Sequence, residues 1–198
     1  MSECKVIGLT GGVGSGKTFI AVYAHDKYGV PIILADEVGH LALRPSNKTY
    51  AMVVETFGED VLATDGTIDR KKLGNLVFSD ALKLETLNHI VHPFIEAYIK
   101  DKIAQLKAEA KTKYILLEAA ILLESNLVSL CDEIWFVKAG EAIRRERLKS
   151  SRGYTDQKID DIIKAQLSEE EMERCVDQII VNNGNLQEID KQLEILLV

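Results

Sequence analysis

Residues 6–18 read Val-Ile-Gly-Leu-Thr-Gly-Gly-Val-Gly-Ser-Gly-Lys-Thr, an apolar run that breaks into glycines and ends on Lys17-Thr18. Gly11 to Thr18 satisfies G-x-x-x-x-G-K-[ST] at every position. The context agrees: Val6–Leu9 reads as a buried strand, and Ile20, Tyr23 and Ala24 share one face of a helix that follows. Glycines accept positive φ and let successive N–H groups close around a phosphate with no Cβ in the way. The helix turns its N-terminal donors and positive dipole end toward the same anion. Lys17 reaches the β- and γ-phosphates, and the Thr18 hydroxyl is a ligand for Mg²⁺. A glycine-rich turn that binds nothing has no packing rationale for four glycines followed by Lys-Thr. The reading is a nucleoside triphosphate site built from Gly12, Val13, Gly14, Ser15, Gly16, Lys17, Thr18 and Phe19.

Four more short apolar segments read as strands: Pro31–Ala35, Tyr114–Leu117, Glu133–Val137 and Gln178–Val181. None alternates cleanly, as expected of strands covered on both faces. Helical patterns separate them. Ile95, Ile99, Ile103 and Leu106 form one stripe, with Pro93 suited to that helix's first turn. Ile189, Leu193 and Leu196 repeat the pattern after Asn185, a cap. Strands alternating with helices predict an α/β fold with a five-stranded parallel sheet. From Asp36 to Thr112 no strand is evident, which is too much chain for one crossover; a helical insertion at the sheet's ligand edge is expected. A second helical stretch, from about Glu141 to Arg174, carries Arg144, Arg145, Arg147, Lys149 and Arg152 near its start.

Composition narrows the function. The 198 residues hold 24 Lys+Arg against 31 Asp+Glu, a net charge of −7, with 46% hydrophobic residues. That is one globular domain's worth of chain with enough apolar material for a core. An acidic balance argues against non-specific nucleic-acid binding, which depends on Lys/Arg neutralising phosphates. A local basic pocket for an anionic small molecule remains compatible with it. Cys4, Cys131 and Cys175 are too scattered for a disulfide framework or a zinc site. There is no signal-peptide pattern and no stretch that spans a bilayer, so the expected compartment is the cytoplasm.

The P-loop leaves the reaction open. A GTPase needs an N-K-x-D motif, and Asn47-Lys48 continues Thr-Tyr. A small kinase fits the length best. The residues then resemble a known family. Ile7–Thr18, Ala35-Asp36, Phe57-Gly58, Asp65-Gly66-Thr67-Ile68-Asp69-Arg70, Val77-Phe78, His92-Pro93, Leu122-Leu123-Glu124, Arg147-Leu148, Gln166 and Asp177–Gly184 are together similar to the dephospho-coenzyme A kinases. The resemblance implies ATP-dependent phosphorylation of the ribose 3′-hydroxyl of dephospho-coenzyme A. It also implies the nucleotide-kinase variety of the P-loop fold. On that basis the core is about 1–45, 113–140 and 176–198, the substrate-binding insertion about 46–112 and a mobile lid about 141–175. A monomer is expected, with a weak homo-oligomer as the alternative. The rivals are another small-metabolite or nucleotide kinase, and a non-catalytic ATP-binding regulatory module.

Asp36 follows the second apolar run, where ligands of open α/β sheets bind, and its carboxylate can orient a hydroxyl and accept its proton. The plainer reading is an N-cap for the helix Glu37–Leu43. Glu118 is a candidate partner of Mg²⁺, directly or through water, or the acceptor of a salt bridge; Glu124 is a second candidate nearby. Through the resemblance, Arg70 binds substrate phosphate, for which a planar guanidinium is suited, or is simply solvated. His92 lines the substrate cleft or caps the long helix. Arg144 and Arg147 share a helix face, which is either a solvated basic face or, in a closing lid, reaches the ATP phosphates; the resemblance implies the second for Arg147, in a catalytic role. Asn182-Asn183-Gly184 contributes to the adenine pocket, with Asn183 as the binding residue. The chain departs from the family in three places. Leu34 stands where an Asp is usual, Ala120 precedes Ile121-Leu122-Leu123 where the family has proline next to its Leu-Leu, and Arg147 and Arg152 are five apart rather than four.

Overall fold

The central strand of the sheet is the one that leads into the P-loop. In the computed structural model, residues 4–109 and 111–198 are described. β1 (Lys5–Thr10) lies between β3 (Tyr114–Glu118) and β4 (Glu133–Lys138), with β2 (Ile32–Leu34) and β5 (Gln178–Val181) outside them. The order is β2-β3-β1-β4-β5 and every pairing is parallel. Ile7 aligns with Leu116 on one side and Glu133 on the other. Parallel pairing requires crossovers that cover both faces. Val6, Ile7, Leu9, Ile115 and Leu117 are accordingly fully buried in a run, without alternation. The chain leaves β1 toward β2, and β3 returns beside β1, so the loops after β1, β3 and β4 open at one edge, where such sheets hold ligands.

Helices α1 (Lys17–Tyr28) and α9 (Leu186–Leu197) supply the apolar cover that one cluster records. Ile20, Ala24, Ile189, Leu193 and Leu197 join Ile7, Leu9, Leu116, Trp135, Val137 and Ile180 there. Asn185 caps α9 as expected, its side chain accepting from the Gln187 and Glu188 amides. Asp190 binds α9 to α1, accepting from Tyr23, Lys27 and Tyr28. Between β4 and β5 run α6 (Glu141–Arg152), α7 (Asp156–Ala165) and α8 (Glu169–Glu173), which fill the stretch read as helical.

The chain divides into two compact units, Ala35–Lys102 and the rest; the sequence reading placed an insertion at 46–112. The unit Ala35–Lys102 holds α2 (Ala35–Ala42), α3 (Lys48–Phe57), α4 (Arg70–Phe78) and most of α5 (Ala81–Glu109). It has its own apolar cluster of Val53, Val61, Ile68, Leu73 and Val77. Asp65 accepts from the Thr67 amide and hydroxyl, and Gly66 takes φ 79° in that turn. Asp69 caps α4 through the Lys71 and Lys72 amides.

Four expectations need correction. β2 stops at Leu34 and α2 begins at Ala35, so Asp36 lies in the first turn of the helix and is not its N-cap. Pro31 precedes β2 because it has no N–H for the ladder, although its carbonyl accepts from Leu116 N at 2.9 Å. Pro93 does not open a helix: α5 starts at Ala81 and continues through it, so His92 is no cap either. Helical sequence on both sides outweighs the one backbone hydrogen bond that proline removes.

Candidate functional site

The site is built on backbone before it is built on side chains. Between β1 and α1 the chain passes through Gly11 to Gly16, with Gly14 at φ 80° and Gly16 at φ 88°. A Cβ on Gly16 would stand 2.4 Å from Asn182 Nδ2, so this turn demands glycine for both conformation and space. Gly16 hands the chain to α1 as its N-cap residue, with Ile20 N donating to Gly16 O. Lys17 is buried, its Nζ 2.8 Å from Gly11 O and 3.5 Å from Gly12 O. Its ammonium thus lies along the loop's own carbonyls. The Ser15 hydroxyl is also buried, without a hydrogen-bond partner among the described residues. A cationic side chain, an orphaned hydroxyl and a helix N-terminus within one loop suit a phosphate group.

Thr18 and Glu118 meet beside it. The Thr18 hydroxyl donates to Glu118 Oε2 at 3.4 Å, and Glu118 ends β3 with only 4% of its surface exposed. A hydroxyl and a carboxylate are hard oxygen donors, the set Mg²⁺ takes when phosphates and water complete its shell. Among the described residues no cluster of three or more His, Cys, Asp or Glu forms a cage for a metal, and Mg²⁺ at a nucleotide needs none. Glu124, in the turn after β3, is exposed.

Helix α6 grips the loop. Arg147 donates to Ser15 O at 3.1 Å, and to Asn182 O and Oδ1 at 3.1 and 3.2 Å. Asn182, buried at the end of β5, donates to Ser15 O at 2.7 Å. Leu148 packs on Gly14, and Arg144 lies against Gly12 with its Nη2 2.9 Å from Glu169. Two cavities border this assembly. One of 350 Å³ is lined by Lys17, Thr18, Arg147 and Arg152 with P-loop glycines. The other, of 280 Å³, is lined by Phe19, Leu186 and Ile189 with Gly16, Arg147, Asn182 and Gly184.

The structure therefore gathers Lys17, Thr18, Phe19, Glu118, Arg144 and Arg147 about the loop. Asn183 lies apart, its Oδ1 accepting from Gly140 N, while Asn182 lines the smaller cavity. Asp36, Arg70 and His92 belong to the other unit, each side chain exposed and making no hydrogen bond or ion pair with the described residues. Two contacts go beyond the sequence reading, which has Asn182 only as one of three residues at an adenine pocket and Gln166 only within the family resemblance: Asn182 Nδ2 donates to Ser15 O, and Gln166 Oε1 accepts from Val13 N at 2.9 Å. The P-loop signature would not find either, because both arrive from distant sequence to satisfy loop backbone.

A P-loop at the mouth of a β2-β3-β1-β4-β5 sheet, with arginines arriving from the helices between β4 and β5, defines a kinase of the nucleotide-kinase class. The family model described as "Dephospho-CoA kinase" matches residues 5–188. A dephospho-CoA kinase of Shouchella clausii is 37% identical over 94% of this chain and 94% of its own. One of Carboxydothermus hydrogenoformans is 36% identical over 100% of this chain and 95% of its own. A crystal structure of a Thermus thermophilus protein superposes with a TM-score of 0.85 at 25% identity, covering 98% of this chain and 97% of that one. The chain belongs to the dephospho-CoA kinase family.

Proposed function

We propose that this protein transfers the γ-phosphoryl group of ATP to the ribose 3′-hydroxyl of dephospho-coenzyme A, releasing coenzyme A and ADP. The observation that carries the reading is a complete P-loop, with Lys17 buried in it, inside a chain that matches the family from residue 5 to residue 188. The catalytic demand in phosphoryl transfer is alignment and charge neutralisation, which preformed donors meet without reorganising.

In this reading the amides of Gly14 to Thr18 and the Lys17 ammonium hold the β- and γ-phosphates. Lys17 exchanges its contacts with Gly11 O and Gly12 O for phosphate oxygens. The 280 Å³ cavity takes the adenine, between Phe19, Leu186 and the Arg147 guanidinium. Arg147, tied by Ser15 and Asn182, presents fixed positive charge to both cavities. Arg152, exposed at the end of α6 beside Gly153, is the arginine with freedom to follow the transferring group. Thr18 and Glu118 hold Mg²⁺, Thr18 directly and Glu118 directly or through water. When bound, that ion neutralises charge on the β- and γ-phosphate oxygens.

Asp36 orients the acceptor hydroxyl and takes its proton, a role for which an exposed carboxylate two residues past β2 is available. Arg70 and His92 bind the acceptor, Arg70 through its diphosphate. The test is ADP formation from Mg²⁺-ATP with dephospho-coenzyme A, beside AMP, adenosine and pantothenate. Turnover is expected with dephospho-coenzyme A alone, reduced roughly 10²–10³-fold by Lys17→Ala. Asp36→Asn is expected to cost at least about 10²-fold in kcat. Turnover with a different acceptor would replace the substrate assignment, and near-wild-type turnover of Asp36→Asn would remove Asp36 as the base.

A further inference from the structure

The segment between α7 and α8 touches the P-loop on its outer side, and the contact falls on a single peptide unit. Gln166 Oε1 accepts from Val13 N at 2.9 Å. The carbonyl of that same unit, Gly12 O, accepts from Ser15 N at 3.1 Å and lies 3.5 Å from Lys17 Nζ. In a trans peptide the N–H and C=O point in opposite directions, so Gln166 holds one end of the plane while Ser15 and Lys17 hold the other. Turning this peptide would break its contacts at both ends. Three residues further on, Glu169 forms an ion pair with Arg144, Nη2 at 2.9 Å, and lies 3.9 Å from Lys138 Nζ. Arg144 is only 6% exposed, and its Nη1 sits 2.0 Å from where a Cβ on Gly12 would be. The guanidinium therefore lies flush on the outer face of the loop, held there by Glu169. Ser168 and Glu171 form a capping box that starts α8 and fixes both neighbours.

We infer that Gln166 and Glu169 are positioning residues for nucleotide binding: Gln166 fixes the Gly12–Val13 peptide of the phosphate loop, and Glu169 clamps Arg144 against Gly12. The inference rests on the nucleotide reading of the P-loop. A loop with six residues' worth of open backbone and several glycines loses conformational entropy when it closes on phosphate. A clasp formed in advance carries that ordering cost in the folded protein and leaves more of the interaction energy for binding. Neither residue touches the nucleotide in this account. Both act through backbone or through Arg144.

The experiment measures ADP affinity by calorimetry and steady-state ATP kinetics for wild type, Gln166→Met, Gln166→Glu and Glu169→Gln, with the thermal midpoint of each nucleotide-free protein. Methionine keeps the length of the side chain but offers the Val13 amide no good acceptor; glutamate keeps an oxygen there. Gln166→Met is expected to weaken ADP binding about tenfold, the low end of the cost of leaving a partly buried amide unsatisfied. The KM for ATP should rise by a similar factor, with kcat little changed, because ground state and transition state share the loop. Gln166→Glu should recover at least half of the loss on a logarithmic scale. Glu169→Gln should weaken ADP in the same direction. A merely structural role would lower the thermal midpoint and leave the affinity of the folded fraction alone. Unchanged ADP affinity in folded Gln166→Met and Glu169→Gln, or equal loss in Gln166→Met and Gln166→Glu, overturns the inference. Wild type that fails to bind ADP overturns the nucleotide site itself, and the clasp with it.

Discussion

Glu118 poses the sharpest energetic question of any single residue, because a carboxylate 4% exposed at the end of β3 must have its charge met. The Thr18 hydroxyl meets part of it at 3.4 Å, a long contact for an O–H donor. A divalent cation would separate that pair and use both oxygens. Glu118→Gln keeps the shape and an acceptor for Thr18 but deletes the charge. The Mg²⁺ concentration for half-maximal activity is expected to rise about 10–100-fold. Activity plotted against free Mg²⁺ at saturating ATP checks this; an unchanged curve would make Glu118 a partner of protein groups alone. The same scale shows what sequence can carry. Gly11 to Thr18 is legible because the pattern is local and each residue's job is fixed by the turn. Asn182 is legible only as one of three residues after the last strand, because its 2.7 Å hydrogen bond to Ser15 O spans 167 positions. Asn183, next to it, has the same chemistry in sequence and spends its oxygen on Gly140.

Elements were legible where period and cap agreed and obscure where packing decided. The five strands appear where their apolar runs lie, no end differing by more than one residue. Asn185 and the stripe that follows it gave α9 its start and its buried face. The helices read as a lid were found, but period alone does not say what a helix rests on. Arg144, Arg147 and Leu148 place one face of α6 on the P-loop, leaving its C-terminal end with Arg152 as the exposed part. Pro93 misled because proline is most common in first turns, whereas α5 runs 29 residues and passes through it. An interior proline costs a helix about 3 kcal/mol through a lost hydrogen bond and a ring clash with the preceding turn. Pro93 is exposed, so replacing it gives up little packing. Pro93→Ala is expected to raise stability by about 1–3 kcal/mol, read from the urea midpoint by far-ultraviolet circular dichroism. A loss of stability instead would mean that α5 needs the bend that proline enforces.

At the scale of the whole molecule, the pairs that link elements set how the protein responds to acid. Asp190 joins α1 to α9, and the hydrogen bond from Lys27, then that from Tyr28, holds its carboxyl below the usual 3.8. Lys149 does the same for Asp156 between α6 and α7. Ser168 lowers Glu171 in the capping box of α8, and Thr67 lowers Asp65 in the turn ahead of α4. Each is more acidic folded than unfolded, so between the two values the unfolded chain binds more protons and acid favours unfolding. Their stabilisation is complete above the ordinary carboxylate values, 3.8 for Asp and 4.5 for Glu, and disappears as pH falls through the folded ones. Three of the four lie in the unit that carries the P-loop, and two of those join helices, so the loss of that unit's structure should lead on acidification. Urea midpoints measured from pH 7 downward are expected to hold steady to about pH 5 and to fall between about pH 4.5 and pH 3. Asp190→Asn should start lower at neutral pH and show a shallower acid limb, since it no longer has that proton to take up. A wild-type midpoint that stays level to pH 3 would show that these pairs contribute nothing to the cohesion of α1 with α9 or of α6 with α7.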